Sequence, residues 1–125
     1  MDKQMVHTQT APKAIGPYVQ ANKLGDMLYT SGQLGIDMVK GGLAEGIEAQ
    51  THAALKNLGE ILTAAGSSYD KVVKTTVFVK DLADFQTVNK IYADYFTCGY
   101  PARSCVQVAA LPMGGLVEIE LIASL

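Results

Sequence analysis

Long apolar runs, clustered cysteine or histidine, and concentrated positive charge are all missing from this chain. No stretch of its 125 residues approaches the roughly 20 consecutive apolar residues that span a bilayer. Its 10 Lys and Arg residues are scattered, and the formal net charge is −2. Phosphate backbones are bound by clustered Lys and Arg, so neither a nucleic-acid nor a membrane partner is expected. The 2 cysteines, Cys98 and Cys105, form neither a C-x-x-C pair nor a disulfide framework. Met1-Asp2-Lys3-Gln4-Met5 lacks the apolar core of a secretory signal. The cysteines are therefore expected to be reduced thiols of a cytoplasmic protein, with an organellar location left open. His7 and His52 stand apart and no H-E-x-x-H is present, so no metal site is expected. The G-x-x-x-x-G-K-[ST], G-x-G-x-x-G and G-x-S-x-G signatures are absent too. Ser31 lies instead in Thr30-Ser31-Gly32-Gln33.

What is present suits one ordinary domain over residues 1–125, with 49% apolar residues and no repeat. Lys3 to His7 reads as a short edge strand, and Thr8 to Pro17, holding Pro12 and Pro17, as an ordered loop. Tyr18 to Lys23 and Met27 to Ile36 read as strands joined by a hairpin at Leu24-Gly25-Asp26. Val39 to Gly46 is a Gly-rich loop. Ile47, Ala54, Leu55, Leu58, Ile61, Leu62 and Ala65 recur at helical spacing, and Gly66 stands where a C′ glycine ends a helix. Val72 to Lys80 is a strand rich in Val, Thr and Phe. Asp81 or Asp84 can cap a second helix, striped by Phe85, Val88, Tyr92 and either Tyr95 or Phe96 and closed off by Pro101. Ala102 to Ala110 and Leu116 to Ala123 are the last strands. This order predicts an α+β domain, a mixed sheet of about six strands with two helices on one face.

Two helices cover only one face of a sheet, so the other face is informative. At period two, Val117, Ile119 and Leu121 share one side of the final strand, and Glu118, Glu120 and Ile122 the other. In the strand before it, Ser104, Val106, Val108 and Ala110 alternate with Arg103, Cys105, Gln107 and Ala109. Placing the apolar sets under the helices puts Arg103, Glu118 and Glu120 together on the uncovered face. That face is either solvated or buried against other subunits.

Five segments carry more detail than packing demands. They are Ile15-Gly16-Pro17-Tyr18, Tyr29-Thr30-Ser31-Gly32-Gln33, Lys74 to Leu82, Tyr100-Pro101-Ala102-Arg103-Ser104 to Val108, and Leu111-Pro112 followed by Val117-Glu118-Ile119-Glu120. In this order, and over essentially the whole chain, they resemble the RidA family, also called YjgF. The resemblance implies a chorismate-mutase-like fold and a homotrimer whose sheets form an inner barrel, with clefts between subunits. It also implies hydrolysis of 2-imino acids to 2-keto acids and ammonia, without cofactor or metal. The substrates would be 2-aminoacrylate, 2-iminopropanoate and 2-iminobutanoate, released by pyridoxal-phosphate-dependent dehydratases.

Residue by residue, Arg103 matches the arginine that binds the substrate carboxylate; a guanidinium fork suits that task, though an interstrand ion pair is its plainer use. Glu118 matches the glutamate that orients or activates water, against the alternative of a solvated strand charge. Tyr18 matches a tyrosine at the cleft mouth. Ser31 and Gly32 match a cleft segment, Cys105 a lining position, and Asn89 a position contributed from the partner side. Glu120 is expected to be structural and Cys98 exposed. The same family includes non-catalytic binders of 2-keto or imino acids, and translation inhibitors with ribonuclease activity. Glu118 favours the enzyme over the binder, and the acidic balance opposes the ribonuclease.

Overall fold

The structure, a computed structural model, describes residues 2–125. Its strands are β1 (Gln4–Val6), β2 (Ala21–Leu24), β3 (Met27–Thr30), β4 (Gln33–Leu34), β5 (Ile36–Asp37), β6 (Gly42–Leu43), β7 (Val72–Val79), β8 (Ala102–Gln107) and β9 (Val117–Ser124). Its helices are α1 (Gly46–Ala65) and α2 (Phe85–Ala93), with single 3-10 turns at Tyr69–Lys71, Leu82–Asp84 and Pro112–Gly114. Seven strands form the main sheet in the order β1-β2-β3-β9-β7-β8, with β4 also pairing β9. Every pairing is antiparallel except β7 with β8. A parallel pair needs a crossover, and α2 supplies it. Among the described residues, no helix is long and apolar enough to cross a membrane.

The stripe on α1 does what its spacing requires. Leu55, Leu58, Ile61 and Leu62 are fully buried between α1 and the sheet, each contributing roughly 1.5–3 kcal/mol of transfer free energy. Gly66 takes φ 82° and donates its N–H to the carbonyls of Leu62 and Thr63, so the helix ends there. Just past the end of α2, Phe96 rather than Tyr95 completes the apolar stripe, with its ring 4.6 Å from Tyr92. Tyr95 turns outward to His52, whose Nδ1 lies 2.9 Å from the phenol oxygen. Asp81 accepts from Ala83 N–H at 2.9 Å and caps the 3-10 turn, which runs straight on into α2.

The buried polar residues of α1 carry no periodic signal. Gln50 donates to the Ala44 carbonyl at 3.0 Å and accepts from Leu116 N–H at 2.9 Å. Asn57 donates to the Ile36 carbonyl at 2.9 Å. These bonds fasten the β5–β6 region and the start of β9 onto the helix. Gly35 permits that contact, since a Cβ there would collide with the Gln50 backbone.

Three readings change. The strand predicted from Tyr18 begins only at Ala21, because Gln20 turns its side chain into the preceding loop. The strand predicted over Met27 to Ile36 breaks after Thr30. There the Thr30 hydroxyl, not a carbonyl, accepts from Leu121 N–H at 3.0 Å. The predicted Val39–Gly46 loop contains β6, which pairs with β5.

The phase of β8 is the larger correction. Thr75 pairs with Arg103 and Val77 with Cys105, and both β7 partners are fully buried under the helices. Arg103 and Cys105 therefore face α2, while Ser104 and Val106 (45% exposed) lie on the open face beside Thr76 and Phe78. Because β8 is an edge strand, neither of its sides is a full core face. Its apolar alternation therefore did not mark the inside.

Candidate active site

Arg103 is held by aromatic rings rather than by a carboxylate. Its guanidinium carbon lies 4.9 Å from the Tyr92 ring centroid and 5.5 Å from that of Phe85, within cation–π range. The Tyr92 hydroxyl is 2.7 Å from Thr75 Oγ1, which locks the ring on which the guanidinium rests. Burial pushes the Tyr92 phenol up, against the Thr75 hydrogen bond and the Arg103 charge, so the ring stays neutral. Among the described residues the one ion pair is Lys40–Glu45, and Arg103 has no acidic partner. Its hydrogen-bonding fork is free for an anion. A shallow cleft of about 420 Å³ lies over it, lined also by Asn89, Tyr92 and Tyr100. The Asn89 Oδ1 is buried there without a hydrogen-bond partner.

Glu118 sits in a second cleft, of about 880 Å³, which Tyr18, Ser31, Gly32 and Glu120 also line. Burial first, and the neighbouring Glu120 second, push the Glu118 carboxyl above the usual carboxylate range. Gly32 makes room for it, since a Cβ at that position would stand 2.8 Å from Glu118 Cδ. Ser31 does not offer its hydroxyl to the cleft; it donates to the Val19 carbonyl at 2.6 Å. Tyr18 is 49% exposed, and its hydroxyl lies 3.4 Å from Ile15 N–H.

The seven residues singled out in the sequence thus divide. Tyr18, Ser31, Gly32 and Glu118 come together in one cleft, and Asn89 and Arg103 in the other. Cys105 lines neither cleft. It packs against the core, and burial pushes its thiol up despite the Arg103 charge, which disfavours a thiolate nucleophile. Phe78 opposes Glu118 and Thr75 opposes Arg103 in the register, so Glu118 and Arg103 occupy opposite faces of the sheet. Their grouping on one face is corrected here, and the cause is the β8 phase. Sequence reading missed Tyr92 as the platform under Arg103, since a stripe position in a helix signals only core. Among the described residues, no three His, Cys, Asp or Glu side chains are grouped as a metal site requires.

Gly32→Ala tests the crowding at Glu118 directly. The added methyl meets the flexible end of a side chain, so the fold is expected to hold, at a cost within about 1 kcal/mol, while the carboxylate is displaced. Thermal melting together with a crystal structure of the variant checks this. An unmoved Glu118 would contradict it.

The sequence profile of the family described as Endoribonuclease L-PSP matches residues 8–125. The chain belongs to this family, which includes the RidA and YjgF proteins. It is 52% identical over 124 residues to Reactive Intermediate Deaminase A, chloroplastic, of Arabidopsis thaliana, a match spanning 98% of this chain and 66% of that protein. It is 51% identical over 121 residues to 2-iminobutanoate/2-iminopropanoate deaminase of Salmonella typhimurium, covering 94% of each. The crystal structure of the YjgF gene product from E. coli matches with a TM-score of 0.94 at 47% identity, over 97% of this chain and 98% of that one. The α+β fold with both helices on one sheet face is therefore the RidA fold.

Proposed function

We propose that this protein is a deaminase that hydrolyses 2-imino acids to 2-keto acids and ammonia, at a site completed by two copies of the chain. One observation carries the reading. The cation that suits a carboxylate and the carboxyl that suits water activation lie in separate clefts, on opposite faces of one sheet. Neither cleft alone can hold and hydrolyse an imino acid, whereas facing clefts of neighbouring subunits can. The Salmonella typhimurium relative named 2-iminobutanoate/2-iminopropanoate deaminase supports the chemistry. The uncovered sheet face supports self-association, because Met5, Tyr29 and Val106 are exposed along it. A closed ring of three copies is the assembly that the family resemblance implies.

In this reading the Arg103 fork binds the substrate carboxylate through paired charge-assisted hydrogen bonds. Glu118 of the neighbouring chain takes a proton from water as the water oxygen bonds to the imine carbon. The C=N pair moves onto nitrogen, which takes the proton back from Glu118 and gives a carbinolamine. The carbinolamine hydroxyl proton then passes through Glu118 to the nitrogen, and the C–N bond breaks as the C–O bond becomes a carbonyl, releasing ammonia. Tyr18 and the Gly32 N–H border the substrate. The test generates 2-iminopropanoate and 2-iminobutanoate in situ and follows their loss. Wild type is expected to accelerate it, and Arg103→Ala to lose roughly 100-fold or more with its two charged hydrogen bonds. A wild-type rate equal to the uncatalysed one sinks the reading, and titration with 2-keto acids then tests a non-catalytic binder.

The pH dependence follows from the raised Glu118 carboxyl. A base with a raised pKa keeps its proton to higher pH, so the rate falls as pH drops through that raised value. The acid limb of kcat/KM is therefore expected above the ordinary glutamate value of 4.5. Glu120→Gln removes the like-charge contribution and moves the limb to lower pH. A limb unmoved by that variant would assign the ionisation to another group.

A further inference from the structure

The Glu118 cleft has one wall without regular structure, the chain between the end of β1 and the start of β2. Pro12, Ala14, Ile15 and Tyr18 of this wall line the cleft. The wall is thinly packed, and between Thr8 and Val19 only Ala11 is buried. A segment with so few apolar contacts opens easily unless hydrogen bonds hold it. Those bonds converge on one side chain. Gln20, 2% exposed, accepts from Thr8 N–H at 2.7 Å through Oε1. Its Nε2 donates to the carbonyls of Thr8 at 3.1 Å, Ala11 at 3.4 Å and Pro12 at 2.8 Å.

The same residue joins the wall to the floor of the cleft. The Gln20 carbonyl accepts from Ser31 N–H at 2.9 Å, and Ser31 Oγ donates to the Val19 carbonyl at 2.6 Å. Val19, Gln20 and Ser31 are thereby hydrogen-bonded together, and their chain neighbours Tyr18 and Gly32 line the same cleft as Glu118. A carboxamide suits this place because it donates and accepts at once. A carboxylate would have no N–H for the carbonyls, and an aliphatic side chain would leave them buried and unpaired.

We propose that Gln20 is a positioning residue for the reaction, its buried carboxamide holding the wall that sets Tyr18 against Glu118. This rests on the deaminase reading above. Gln20 borders the cleft, but it is 2% exposed and its carboxamide is taken up by the wall, so it acts through Tyr18. A displacement of about 1 Å at a reacting centre can cost on the order of 100-fold in rate, so an ordered wall has kinetic consequences.

The experiment is a double-mutant cycle with Gln20→Leu and Tyr18→Phe, read as kcat/KM on 2-iminopropanoate. Amide hydrogen exchange across Thr8 to Val19 is followed alongside. Gln20→Leu is expected to lower kcat/KM about tenfold in the wild-type background and about threefold or less in the Tyr18→Phe background, with faster exchange confined to the wall. General destabilisation would lower both backgrounds by one factor. Equal factors in an active protein, or an undiminished rate despite a loosened wall, overturn the proposal alone. A wild type that does not accelerate imine loss overturns the deaminase reading and this proposal with it. Should Gln20→Leu fail to fold, Gln20→Glu, of the same size but without the N–H donors, carries the same cycle.

Discussion

An equimolar mixture of Arg103→Ala and Glu118→Ala proteins, refolded together so that subunits exchange, is expected to recover about a quarter of the wild-type rate. Each variant alone should lie near background. In the proposed site, Arg103 and Glu118 come from neighbouring chains. The arginine must then come from a chain whose glutamate is mutated, and the glutamate from a chain whose arginine is mutated. Half of the chains qualify in each role, so one interface in four is intact in both under random mixing. This recovery is possible only if the residues act across an interface. Were both drawn from one chain, every chain in the mixture would lack one of them. The register carries the argument, since Thr75 pairs with Arg103, Phe78 pairs with Glu118, and residues three apart on β7 point to opposite faces. A mixture no more active than its parts, in an otherwise active protein, rules out the shared site.

Glu118→Gln is expected to lower kcat by roughly 10²–10⁴-fold, the usual worth of a positioned general base. The amide keeps the size of the side chain and much of its hydrogen bonding, but it cannot take the proton from water. KM should change little, because the proposed carboxylate anchor is Arg103, whose cleft lies on the other face of the sheet. Arg103→Lys should show the complementary pattern, raising KM, because a point charge replaces a planar fork. Initial rates at several imine concentrations separate these effects. A loss of kcat below about tenfold for Glu118→Gln would remove it as the base.

The burial of Glu118 beside Glu120 fits that use. Desolvation and a like charge both disfavour the ionised carboxylate and so increase its appetite for a proton. Gly32 keeps the space in front of it clear. The Arg103 cleft has the opposite character, a cation spread over two aromatic rings with its donors left unpaired. Each cleft is charged in a way that a single chain leaves uncompensated.

Some of this was legible in the residues alone. The α1 stripe, its Gly66 terminus and the alternation of β9 are local patterns. A helix or a central strand with one buried side repeats its apolar residues at its own period, whatever the rest of the chain does. The family was likewise readable from short contiguous segments, and the proposal of Arg103 and Glu118 as site residues came with it. The interruption after Thr30 was not, because a side-chain hydroxyl there stands in for a backbone acceptor. Nor was Gln20, whose three partner residues lie 8 to 12 residues away in a stretch with no periodicity. The face on which Arg103 sits was misread for a related reason. An edge strand is half covered, so its own alternation does not say which side is inside. The parallel pairing of β8 with β7, made across the α2 crossover, settled it. Local chemistry in the sequence determined which residues the proposed imino-acid site draws on. Only the tertiary pairing decided that one chain holds them apart, because the side on which a strand's residues emerge depends on the register with its neighbour.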